Sequence, residues 1–169
     1  MSKLNLKIPT TKIYTKGFTI TELLVGIAII GILTSVAVPS LSQFMIQSRV
    51  DNEISEIHRL MLSARNAAIN SGKSVTVCPL NGNNCGSNWQ NEISVFTNNT
   101  AANTQSYDST NDEMLKVKAK AASGDKITFS DTIVVFAPTG RLSSGGNSNF
   151  SYCPKDHPDM SRGVELSLS

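Results

Sequence analysis

From Phe18 to Val38 the chain reads FTITELLVGIAIIGILTSVAV, 21 residues with one charge, Glu22. As a helix rising 1.5 Å per residue this run spans about 30 Å, the thickness of a bilayer's hydrocarbon core. Such a segment is apolar all round, so lipid or a bundle of like helices must cover it. Any compact domain has to come from the residues that follow. The flanks orient the segment: Lys3, Lys7, Lys12 and Lys16 precede it, no acid does, and a basic N-terminal flank stays cytoplasmic. An ordinary secretory signal has a shorter apolar run with a small-residue cleavage site after it. A plain anchor accounts for the length and leaves Glu22 unexplained, because a carboxylate in a membrane segment is costly and usually has a partner.

The string Lys16-Gly17-Phe18-Thr19-Ile20-Thr21-Glu22-Leu23-Leu24 resembles the signal of type IV prepilins and type II secretion pseudopilins. That signal is a basic leader ending in Gly, then Phe, then Glu at the fifth mature position. Pro39 falls where these proteins carry a helix-kinking proline. The resemblance implies that a prepilin peptidase cuts between Gly17 and Phe18 on the cytoplasmic side and methylates the new amino group of Phe18. It implies a single-pass subunit of the inner membrane, its head in the periplasm, that later joins a filament at the cell surface. Its implied partners are other minor pilins and the major pilin, or pseudopilins, besides the peptidase. For Glu22 it implies an assembly role, pairing with the N-terminal amine of a neighbouring subunit and so fixing register. Cleavage removes four lysines and no acid, leaving eleven basic against thirteen acidic residues and a net charge near −2. A weakly acidic subunit does not bind polyanions through bulk charge.

Beyond Pro39, Val50, Ile54, Ile57, Met61, Ala64 and Ala68 recur at spacings of three and four, one apolar stripe on a helix that Gly72 stops. Pro39 lacks the N–H a helix interior needs and should bend or loosen it. From Lys73 the pattern is β: 74–78, 92–97, 115–120, 126–129, 133–136, 149–153 and 163–168 alternate or run apolar between loops rich in Asn, Ser and Gly. The stretch 98–111 is polar and reads as an exposed loop. One helix followed by consecutive strands predicts an α+β fold. The expected organisation is a leader over 1–17, a membrane and assembly helix over 18–38, an amphipathic helix over 39–71, and a β-rich head over 72–169. The amphipathic stripe would pack on an antiparallel sheet, the lollipop outline of pilins.

Val77-Cys78-Pro79, Cys85 with Trp89 and Val95-Phe96 after it, and Phe136-Ala137-Pro138-Thr139-Gly140-Arg141 resemble the FimT/GspH group of minor pilins and pseudopilins. Three functions go with that group. The favoured one is a minor pilin of the FimU or FimT kind that primes assembly of the pilus and is incorporated into it. The others are a pilin that captures DNA in natural transformation and a minor pseudopilin of type II secretion. DNA-capturing members carry a terminal Gly-Arg-x-Arg segment, whereas here Val164-Glu165-Leu166-Ser167-Leu168-Ser169 follows the last arginine and Gly140-Arg141 keeps half the pattern elsewhere. Lys116, Lys118 and Lys120 alternate on one strand face and, with Arg141 and Arg162, are the candidate DNA contacts. A solvated face or a lysine-protected edge strand accounts equally for the lysines.

Cys78, Cys85 and Cys153 are the three cysteines of a chain bound for an oxidising compartment, so one disulfide is expected. Cys78 and Cys85 flank PLNGNN, whose turn residues let that pair close, and a bridge from Cys153 to either is the rival pairing. Neither a paired CxxC nor a histidine near the cysteines supports a metal, and no phosphate loop or nucleophile elbow is present. No cofactor and no enzymatic activity are expected.

Overall fold

The computed structural model describes residues 17–99, 105–146 and 148–167. The leader therefore lies outside the described residues except for Gly17. Contacts divide the chain into two units, Met1–Ser42 and Gln43–Ser169. One helix, α1 (Ile20–Ser71), runs through both.

In the first unit α1 buries nothing. Phe18, Ile20, Leu23, Leu24, Ile27 and Ile30 are exposed, as are Leu33, Val36, Val38 and Leu41. By length and composition this is a candidate membrane span. The helix continues through Pro39, which has no N–H to offer the carbonyl of Ser35.

In the second unit α1 becomes one-sided. Val50, Ile57, Leu60, Met61, Ala64 and Ala68 are buried and Ile54 is partly so. The stripe is the expected one with Leu60 added, because burying both Leu60 and Met61 widens the contact face beyond one residue per turn. At the C-terminus Gly72 adopts φ +64° and its N–H reaches the carbonyl of Ala68 at 3.0 Å. That left-handed turn is open to glycine at little steric cost.

Among the described residues nine strands follow: β1 (Ser74–Asn81), β2 (Asn84–Cys85), β3 (Ile93–Asn98), β4 (Met114–Lys118), β5 (Lys126–Thr128), β6 (Val134–Phe136), β7 (Leu142–Ser144), β8 (Ser148–Cys153) and β9 (Arg162–Leu166). They form two antiparallel sheets, one in the order β4-β3-β1-β6-β7 with β2 paired to β1, the other β5-β8-β9. Strand alternation divides the large sheet's side chains. Val75, Val77, Val134 and Phe136 join the core under α1, together with Ile127, Phe150, Tyr152 and Leu166 of the small sheet. Cys78, Phe96, Ile133 and Val135 face the other way, where Leu80, Cys85, Tyr107 and Met114 cover them.

That second cover narrows the reading of 98–111 as an exposed loop, which holds for Asn99, Gln105, Ser106 and 108–111 among its described residues. Asn98 ends β3 in the interior, and Tyr107 packs edge-on against Phe96 with ring centroids 5.3 Å apart. The segment is tied to the β1–β2 hairpin by Cys85 N–H to Gln105 O and Tyr107 N–H to Asn83 O, both 2.7 Å. Composition misses this because the work is done by backbone bonds and one aromatic ring.

Cys78 and Cys85 form a disulfide with Cα atoms 5.5 Å apart, and Cys153 is free. The bridge closes the hairpin that turns at Gly82, where φ is +62°. Replacing both cysteines with alanine should lower the stability of a fragment covering residues 43–169 by about 2 to 3 kcal/mol, the closure entropy of so short a loop. Chemical denaturation of the two proteins measures it.

Candidate functional site: the exposed helix start and the clamped helix

The junction residues Gly17, Phe18 and Thr19 precede α1 in non-helical conformation, and Phe18 is 89% exposed. The sequence Thr19-Ile20-Thr21-Glu22 has the S/T-x-x-E spacing of a capping box, and the structure forms one. Glu22 N–H donates to Thr19 Oγ1 at 3.2 Å. In return, Thr19 N–H and Thr19 Oγ1 each donate to Glu22 Oε2 at 2.9 Å. Thr21 Oγ1 lies 3.1 Å from Thr19 Oγ1. Sequence reasoning singled out Glu22 and passed over Thr19, though the spacing itself was the available signal.

In the second unit, charged residues along α1 pair with groups on the β strands and loops. Lys118 is 2% exposed, and its Nζ lies 2.7 Å from Glu53 Oε2 and 3.5 Å from Glu56 Oε2. It also donates to the carbonyl of Ala119 at 3.2 Å. Asp125 is buried where three elements meet. Its Oδ1 accepts from Lys155 N–H at 2.7 Å and from Arg49 at 3.4 Å, and its Oδ2 accepts from the Tyr152 hydroxyl. Burial, and then the hydrogen bond to Asp125, push the Tyr152 phenol well above its ordinary range, so it stays a proton donor. Arg162 Nε meets Asp51 Oδ1 at 3.1 Å, an exposed pair that contributes little.

These contacts take Lys118 out of the five-residue DNA patch. Lys118 is not on a solvated lysine face: it points at the acids of α1, while Leu115 and Val117 of the expected apolar face are exposed. The lysines of β4 lie opposite Ile93 and Val95, on the sheet face turned toward α1, and a bulge sits just upstream of them. Register passes from Val95↔Lys116 to Phe96↔Met114, so Leu115 is the unpaired extra residue and alternation along β4 breaks there. Lys118 sits opposite Ile93, whose side chain belongs to the core under α1. Lys116, Lys120 and Arg141 are exposed, and Arg162 is engaged by Asp51. No group of histidines, cysteines and carboxylates fit to hold a metal occurs among the described residues.

The Phe136–Arg141 segment joins β6 to β7 as a tight turn. Gly140 N–H donates to Ala137 O and Ala137 N–H to Arg141 O, both at 2.8 Å. Gly140 has φ +77°, and a Cβ there would lie 2.6 Å from Ile69 Cδ1 and 3.4 Å from Arg65 Nε. The glycine thus lets the turn lie against the end of α1. Gly140→Ala should cost the 43–169 fragment about 1 to 2 kcal/mol, mostly backbone strain because Ile69 can shift. Its thermal midpoint against the parent protein tests that. The turn also lines a groove of about 230 Å³ with His58, Leu62 and Arg65 of α1 and Val164 and Leu166 of β9.

Comparison with known proteins agrees with this geometry. Residues 14–38 match the prokaryotic N-terminal methylation motif. Two fimbrial proteins of Pseudomonas aeruginosa are each 37% identical over 60 residues, covering 36% of this chain and 38% of the relatives' length. Crystal structures of the type IV minor pilin FimU of Pseudomonas aeruginosa, in two crystal forms, superimpose with a TM-score of 0.53. They cover 75% and 69% of this chain and 84% and 85% of theirs, at 15% and 13% identity, a likeness of fold. Residues 53–169, more than half the chain, match the family described as type II transport protein GspH, and with the methylation motif before them they make this chain a member of that pilin-like family.

Proposed function

We propose that the chain is a minor pilin. A prepilin peptidase cuts it between Gly17 and Phe18 and methylates Phe18. The subunit then waits in the inner membrane with its head in the periplasm. It enters the pilus with other minor pilins and primes addition of the major pilin. The observation that carries this reading is the start of α1: an exposed, non-helical Gly17–Thr19 junction, then an apolar helix whose large side chains are exposed among the described residues. A helix of that kind needs lipid before assembly and neighbouring helices after it. Deleting the gene should abolish pili and twitching while type II secretion continues. Secretion lost with pili intact would overturn the proposal.

That second outcome is the alternative reading, a minor pseudopilin of type II secretion, which the family match over 53–169 supports. DNA capture has less support, since Lys118 is buried against Glu53 and Glu56. The 43–169 fragment should give no gel shift with duplex DNA at about 0.15 M salt, where nonspecific contacts are heavily screened. A shift that survives that salt and is lost in a Lys116→Ala/Lys120→Ala/Arg141→Ala variant would restore the DNA reading.

A further inference from the structure

We propose that Thr19 is a positioning residue that holds the Glu22 carboxylate while the subunit sits unassembled in the membrane, standing in for the amine a neighbour later supplies. The inference rests on the membrane placement of α1 proposed above. A carboxylate away from water needs donors, and its cost falls with each charge-assisted hydrogen bond it gains. Two donors of Thr19, the backbone N–H and Oγ1, converge on one oxygen, Oε2. Among the described residues Oε1 takes no hydrogen bond. The box therefore satisfies half the carboxylate and leaves the other half facing outward beside the exposed Phe18. A neighbour's amine can engage Oε1 without dismantling the box, so the device that carries the charge also presents it. The flanking side chains Phe18, Ile20, Leu23 and Val25 are hydrocarbon, and the Thr21 hydroxyl meets Thr19 Oγ1 at 3.1 Å.

A capping box also starts a helix, so the test must separate that role from carriage of the charge. The full chain is expressed in cells lacking both the peptidase and every other pilin, so that neither cleavage nor a neighbour's amine enters. The half-life of the membrane-inserted chain is followed by pulse-chase. Thr19→Val keeps shape and N–H but removes the hydroxyl, and it should shorten the half-life at least about threefold, since one charge-assisted bond is worth about tenfold or more in an equilibrium. Thr19→Ser should match the parent. In a Glu22→Ala background Thr19→Val should have no effect, because no charge remains to carry. Equal half-lives for Thr19→Val and the parent would overturn the proposal. So would the same shortening in the Glu22→Ala background, which would leave Thr19 a helix cap only. The assay makes no filament, so failure of the pilus reading in a deletion strain is a separate result.

Discussion

Trp89→Ala is expected to destabilise the 43–169 fragment by about 3 to 5 kcal/mol, the cost of emptying a large aromatic site that cannot fully collapse. Trp89 is 1% exposed and meets the rings of Phe129 and Phe150 edge-on, each at a centroid distance of 4.9 Å. Its Nε1–H donates to the carbonyl of Asp131 at 2.8 Å. That bond pins the connection between β5 and β6, where the chain passes from the small sheet to the large one. Removing the indole thus opens a void under both sheets and strips a donor from a partly buried carbonyl. Trp89→Phe keeps most of the packing and loses the donor, so it should cost clearly less, about 1 to 2 kcal/mol. Urea unfolding of the three proteins decides it. Equal losses for Phe and Ala would mean that the hydrogen bond matters and the packing does not. A domain of ordinary marginal stability would be close to unfolded with Ala at this position.

Much of this molecule was legible from residue spacing, and what was not has physical causes. The apolar run, its lone Glu22 and the stripe from Val50 to Ala68 declare a helix with two characters, and the structure carries that helix from Ile20 to Ser71. Strands with several alternating or apolar residues were found near their true places. Two were not. β2 has two residues and β7 reads Leu-Ser-Ser, so neither has a hydrophobic period, and both are held by pairing with a neighbour. The assignment of strands to two sheets is likewise a matter of long-range pairing, which no local window contains. The lysine face failed for a third reason: which side of β4 turns toward α1 is set by its pairing with β3, and Lys118 found its acids on a helix 65 positions earlier in the chain, at Glu53. At the helix start the opposite held. The capping box at Thr19 and Glu22 is fully written in four consecutive residues, the S/T-x-x-E spacing of Thr19 to Glu22.

Glu22→Ala is expected to leave cleavage after Gly17 intact and to reduce the subunit's share in filaments by an order of magnitude or more. The argument starts from how little else specifies register. From Phe18 to Met45 every large apolar side chain is exposed, with Val, Ile and Leu all around the helix. Packed among similar helices, such a surface gains nearly the same contact after a rotation or a one-turn slip. Dispersion and hydrophobic contact therefore favour association without choosing one alignment. Glu22 is the sole ionised side chain on this stretch, and a carboxylate left unpaired in an apolar bundle costs several kcal/mol. On the proposed reading a neighbour's N-terminal amine meets it in one alignment only, so the charge would penalise all the others. In Glu22→Ala the alignment penalty disappears together with the favourable pair, and the amine of Phe18 has no counter-ion. Glu22→Gln keeps hydrogen bonding to Thr19 and loses the charge, so its incorporation should fall between the two. Sheared filaments and membranes from the three strains, probed for the cleaved subunit, measure this. Incorporation of Glu22→Ala at the parent level would remove the register role, and an uncleaved Glu22→Ala precursor would instead place Glu22 in recognition by the peptidase.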